Sequence, residues 1–206
     1  MILTRRTSAM AIAAATLLAA TLAGCHALPP LQYYALEAVN PVGTASPAGS
    51  AWLIHVRHVG LPHEMDHLGL THQTDATRLA ISDYDQWTAP LNVLIQATMT
   101  RDLGARLGYE HVVAVDAVPV VSHPGPDQPA STPSALDLDF VFLSADQGCG
   151  ISAQVNWTLS VPNGAPRRGT ARLAAPATGC PAGLPSALSA ALGELADQLV
   201  GQLPAS

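Results

Sequence analysis

Ile151-Ser152-Ala153-Gln154-Val155-Asn156-Trp157-Thr158-Leu159-Ser160-Val161 alternates without interruption. Ile151, Ala153, Val155, Trp157, Leu159 and Val161 fall on one side, and Ser152, Gln154, Asn156, Thr158 and Ser160 on the other. Neighbouring side chains of a strand point to opposite faces, so this stretch is a half-buried antiparallel strand, apolar inward and polar outward. A sheet with one apolar face needs a second layer to cover it. Downstream, Asn163-Gly164 is a hairpin signal leading to a strand over residues 168–174. Upstream, Leu136, Leu138, Phe140 and Phe142 share a face, with Asp137 and Asp139 opposite.

The covering layer is legible as two helices. Leu91, Leu94, Ile95, Thr98, Met99, Leu103 and Leu107 recur at helical spacing and predict a helix over residues 88–107. Thr88 fits the N-cap, Pro90 the first turn and Gly108 the stop. Pro185 opens a second helix with the stripe Leu188, Leu192, Leu195, Leu199 and Leu203. The first half adds strands over residues 31–36, 52–59, 78–82 and 111–118, separated by Gly- and Pro-rich loops at 41–50 and 119–133. In the 52–59 strand, strict alternation puts Trp52, Ile54, Val56 and His58 opposite Leu53, His55, Arg57 and Val59. Together these elements predict an α+β fold. It is a two-layer sandwich, mostly antiparallel sheet with two amphipathic helices packed on one face.

Ahead of this domain, Arg5 and Arg6 precede an uncharged Ala/Leu-rich run that ends in Leu22-Ala23-Gly24-Cys25. The run is too short to span a bilayer comfortably, and its layout is that of a bacterial export signal. With Cys25 at its end it resembles a lipobox, in which the thiol is lipidated and the chain is cut before it. The competing reading is an ordinary signal peptide with a chance cysteine. The expected organisation is a signal at 1–24, a lipidated tether at 25–30 and a single domain at 31–206.

Composition narrows the function. The chain has no Lys, and Arg167-Arg168 is the basic doublet of the mature part, which is more acidic than the formal −6 of the whole chain. Binding nucleic acid requires clustered cations, so that class is excluded. Only 12% of residues are charged, which points to surface covered by a partner. With Cys25 lipidated, Cys149 and Cys180 remain, and in an oxidising compartment the pair is expected to bond. Such a bridge stabilises by roughly 3–4 kcal/mol in the chain-entropy account. Two buried reduced thiols are the alternative.

His63-Glu64-Met65-Asp66-His67 spells the H-E-x-x-H pattern of zinc hydrolases, with His55, His58 or His72 available as a third ligand. That chemistry needs both histidines on one helix face, yet Pro62 and Gly69 bracket the motif and no helical stripe flanks it. No Ser stands in a G-x-S-x-G setting, and Asp137 and Asp139 read as a solvated strand face. No catalytic residue, metal ligand or cofactor is assigned. A zinc-dependent hydrolase using residues 63–67 is retained as the least favoured alternative.

Several motifs then fall in a specific order. They are Tyr33-Tyr34-Ala35-Leu36, the stretch Val59 through His67, Arg78-Leu79-Ala80, and Trp87-Thr88-Ala89-Pro90-Leu91. Val155-Asn156-Trp157-Thr158-Leu159 and Ala190-Ala191-Leu192-Gly193-Glu194-Leu195-Ala196 follow. This order resembles the PqiC/YmbA family of ABC-type transport auxiliary lipoproteins across essentially the whole mature chain. Residues 64–67 stand where that family has a Tyr-Leu-Asp-Arg-like stretch, with Asp66 the matching residue. The resemblance implies a non-enzymatic lipoprotein subunit of an intermembrane lipid transport system. Its expected partners are an MCE-domain, PqiB-like protein and inner-membrane transport components. The expected location is the outer membrane, facing the periplasm, since His26 is not the Asp that signals inner-membrane retention. By position, Leu61, Pro62, Trp87 and Pro90 are the expected partner contacts, although Trp87 equally suits the core. Homo-oligomers are compatible with such a part. Another envelope or secretion machine is the alternative setting.

Overall fold

The computed structural model describes residues 29–41, 53–115, 132–162 and 164–202. The expected export signal at 1–24, Cys25, His26, Trp52, Asn163 and Leu203 lie outside the described residues, as do both Gly/Pro-rich loops apart from their ends. The strands are β1 (Gln32–Tyr34), β2 (Ile54–Gly60), β3 (Gly69–Gln73), β4 (Leu79–Trp87), β5 (Ser134–Ala145), β6 (Ile151–Ser160) and β7 (Arg167–Ala175). The α-helices are α1 (Leu91–Leu107) and α2 (Leu184–Gln202).

The strands form two sheets, a four-stranded one in the order β2-β5-β6-β7 and a three-stranded one in the order β1-β4-β3. Pairings are antiparallel except β1 with β4 and β2 with β5. β6 keeps the alternation read from its sequence along its whole length, and its inward residues reach the core. Gly169 of β7 faces Trp157 across the pair, where a Cβ would stand 2.4 Å from the indole ring. Glycine here leaves room for the ring to lie on the strand.

Both helices pack on the four-stranded sheet, α1 against β2 and α2 against β6 and β7, and they also pack on each other. Leu91, Ile95, Met99 and Leu103 of α1 and Leu188, Leu192, Leu195 and Leu199 of α2 are buried. Burying each such side chain stabilises by about 1.5–3 kcal/mol. This shared apolar layer holds the domain together.

Four sequence expectations change. First, β2 does not alternate strictly, because its register with β5 shifts between Val56 and His58. The extra residue turns Val59 into the core and leaves His58 exposed, so His55 and His58 sit on the same outer side. Second, β5 shifts register between Phe140 and Phe142, so Phe142 is 47% exposed and Leu143 takes the buried place. Third, Thr88 is no cap. Pro90 occupies the N-cap position, and the Thr88 backbone N–H donates to the Tyr34 carbonyl at 2.9 Å. Fourth, within the predicted 111–118 strand the described part is a single parallel bridge from Val112 to Ile54, preceded by a 3-10 turn at Tyr109–His111.

Candidate functional site

Between β1 and residue 41 the chain forms a strap clamped to both helices. The Glu37 N–H donates to Ser189 Oγ at 3.1 Å, and the Val39 N–H donates to Asp102 Oδ1 at 2.7 Å. Arg101 Nη2 donates to the Leu36 carbonyl at 3.0 Å, and Arg106 Nη1 to the Val39 carbonyl at 3.1 Å. Gly193 makes the approach sterically feasible, since a Cβ there would stand 2.8 Å from Val39 Cβ. Arg106 also bonds the Gly193 carbonyl and both carboxylate oxygens of Asp197, tying α1 to α2. The sequence carries one signal for this clamp. Asp102 and Arg106 sit four residues apart, and Asp102 interrupts the apolar stripe beside Met99 and Leu103.

Asp102 is fully buried, and its Oδ2 has no hydrogen-bond partner. Burial pushes its carboxyl up to about 6, while the Val39 N–H and the charges of Arg106 and Arg101 pull the other way.

The expected contact residues divide. Leu61 and Pro62 are half-buried and Pro90 is exposed, whereas Trp87 is 3% exposed and belongs to the core. Trp87 therefore offers no side-chain surface to a partner, and that expectation is corrected. Exposed apolar side chains the sequence did not indicate lie on the second sheet and the bulged part of β5. Leu79 and Ile81 lie two residues apart on β4 and are exposed, as are Leu68, Val141 and Phe142. Leu79 and Phe142 line one surface cleft together with Glu64, Met65 and Gln73. The bulge is the reason sequence reading missed it, because strict alternation would hide Phe142.

The H-E-x-x-H residues have no zincin geometry. His63–Met65 is a three-residue 3-10 turn with Met65 in the core, while His63, Glu64 and His67 are exposed. Asp137 is held by Arg57 through both guanidinium arms, and His58 Nε2 stands 3.9 Å from Asp139. Asp137 thus forms a surface ion pair with Arg57. Cys149 and Cys180 are joined Sγ to Sγ, with Cα atoms 5.2 Å apart. Between the helices and the sheet is a void of about 20 Å³, bordered by Ile54, Leu103, Leu136, Trp157 and Leu199. That is room for about one water and none for an acyl chain.

The architecture is that of an α+β domain, two helices packed against mixed, mostly antiparallel sheets. Residues 34–200 match the family described as "ABC-type transport auxiliary lipoprotein component", and the chain belongs to that family. It is thus an auxiliary lipoprotein component of an ABC-type transport system. The family is one of membrane-anchored, typically non-enzymatic proteins that associate with transporter components. The fold is similar to that of protein XCC0632 from Xanthomonas campestris, a DUF330 protein. There the TM-score is 0.61 at 17% identity, covering 82% of this chain and 93% of that one. A second crystal structure, of an uncharacterized protein, has a TM-score of 0.58 at 15% identity and is covered completely by 85% of this chain. No curated protein matches.

Proposed function

We propose that this chain is the lipid-anchored docking subunit of an MCE/ABC-type intermembrane lipid transport system, held in the outer membrane by Cys25 and facing the periplasm. Family membership over residues 34–200 is the observation that carries the reading. The Leu22-Ala23-Gly24-Cys25 lipobox supports it from the sequence. Among the described residues, the void between helices and sheet is too small for an acyl chain, which favours a part that binds proteins over one that carries lipid. Its contacts to an MCE-domain partner run through Leu61, Pro62 and Pro90 and the apolar surface of Leu79, Ile81 and Phe142. The Cys149–Cys180 bridge fixes the β5–β6 turn to the loop before α2 in the oxidising periplasm.

Site-specific photo-cross-linkers at residues 62, 81, 90 and 142 of the full lipoprotein, expressed beside the MCE-domain protein, test this reading. Cross-links from 81 or 142, absent from a control at exposed Arg172 on β7, are expected. No cross-link from any of the four positions contradicts the docking role.

A further inference from the structure

One polar cluster lies outside the strap and the apolar surface. An imidazole nitrogen of His72 and the sulfurs of Cys149 and Cys180 lie within 4.8 Å of one another, the one such three-residue grouping among the described residues. These residues come from three separate places, which are β3, the β5–β6 turn and the loop between β7 and α2. His72 Nδ1 is sealed from solvent and has no hydrogen-bond partner. A buried ring nitrogen without a partner costs free energy unless something pairs with it.

We propose that His72, Cys149 and Cys180 form a redox-gated site for a thiophilic divalent cation of the zinc class. Two thiolates and one imidazole are a donor set zinc accepts, with a fourth position left open to water. The thiolates also cancel the charge of the ion. Cys149 is held in place, fully buried, with a left-handed φ of 65°. The turn around it is fastened by Asp146, whose Oδ1 accepts the Gly148 N–H at 2.8 Å and the Gly150 N–H at 2.9 Å. Cys180 is exposed, so it supplies both the entry for a reductant and the room to open. To hold zinc, the sulfurs must separate to about 3.8 Å, the edge of a tetrahedron with Zn–S near 2.3 Å.

In the bonded state the sulfurs ligate nothing. A dithiol donor attacks the accessible Cys180 sulfur, and the mixed disulfide resolves through the donor's second thiol. Two electrons and two protons pass to the cysteines, and the donor leaves as its own disulfide. The two thiols then release two protons as they bind the cation, with neutral His72 supplying the third bond. Exchange with a disulfide oxidant, which takes the two electrons and two protons and leaves as a dithiol, re-forms the Cys149–Cys180 bond and releases the ion.

The test uses the full chain, purified in detergent, either oxidised or reduced with a phosphine that is then removed. Zinc is measured by chelator competition, and Co²⁺ is added in parallel to read thiolate-to-cobalt charge-transfer absorption. Reduced protein is expected to bind one zinc per chain with that cobalt band, and oxidised protein none. His72→Ala should weaken reduced-state binding by more than about tenfold, the lower end of what outer-shell ligand partners already cost. Cys149→Ser should abolish the band, while the double variant His63→Ala/His67→Ala should bind like wild type. If reduction melts the domain, zinc should restore its near-ultraviolet circular dichroism. The proposal is overturned by equal binding in both redox states, by an unaffected His72→Ala variant, or by a reduced chain that zinc does not refold.

Discussion

Replacing Asp102 with Asn should change how stability depends on pH as well as how large it is. The Asp102 carboxyl is pushed from 3.8 up to about 6, first by burial, so the native state keeps this proton to higher pH than the unfolded chain does. Between those values the native state binds more protons, and stability must fall as pH rises through that window. About two pH units at about 1.4 kcal/mol each gives a total near 3 kcal/mol, most of which, about 2 kcal/mol, falls between pH 4 and 7. Asn retains an oxygen for the Val39 N–H and does not titrate, so it lacks this slope. Urea unfolding of both proteins at pH 4, 5, 6 and 7 should therefore show the stability of Asp102→Asn relative to wild type rising by that amount. Curves that stay parallel across the window would refute a buried, high-pKa Asp102.

Three further outcomes follow from the same contacts. Arg106→Met leaves the buried Asp102 without its cation and frees the strap, which should cost about 3–5 kcal/mol in urea unfolding at pH 7. Adding Asp102→Asn to Arg106→Met should recover part of that loss. Gly169→Ala places a methyl into the Trp157 ring and should destabilise by about 1–3 kcal/mol, with a changed Trp fluorescence spectrum. Phe142→Asp, at a site 47% exposed, should leave stability within about 0.5 kcal/mol but weaken capture of the proposed MCE-domain partner in a pull-down.

What the sequence disclosed follows from where regular pattern and tertiary need agree. β6, β7 and both helices were readable because one period runs through each and the apolar face is continuous. β2 and β5 were readable as strands but misjudged in facing, since each carries an inserted residue that flips everything beyond it. The division into two sheets was not readable. It depends on the parallel pairings of β1 with β4 and β2 with β5, which join segments far apart in the chain. The strap also escaped notice. Leu36-Glu37-Ala38-Val39 has no period, and its partners Asp102, Arg106, Ser189 and Gly193 are spread over two helices. His72 looked like one histidine among several in a loop, and only the short strand Gly69–Gln73 brings it to the cysteines.

The direct trial of the account is mass spectrometry of the N-terminal peptide from protein recovered in the membrane fraction. A chain beginning at Cys25, with a diacylglycerol thioether on its sulfur and an acylated amine, is the expected result. A chain that retains Met1, or begins elsewhere with an unmodified Cys25, would contradict the anchored-subunit reading.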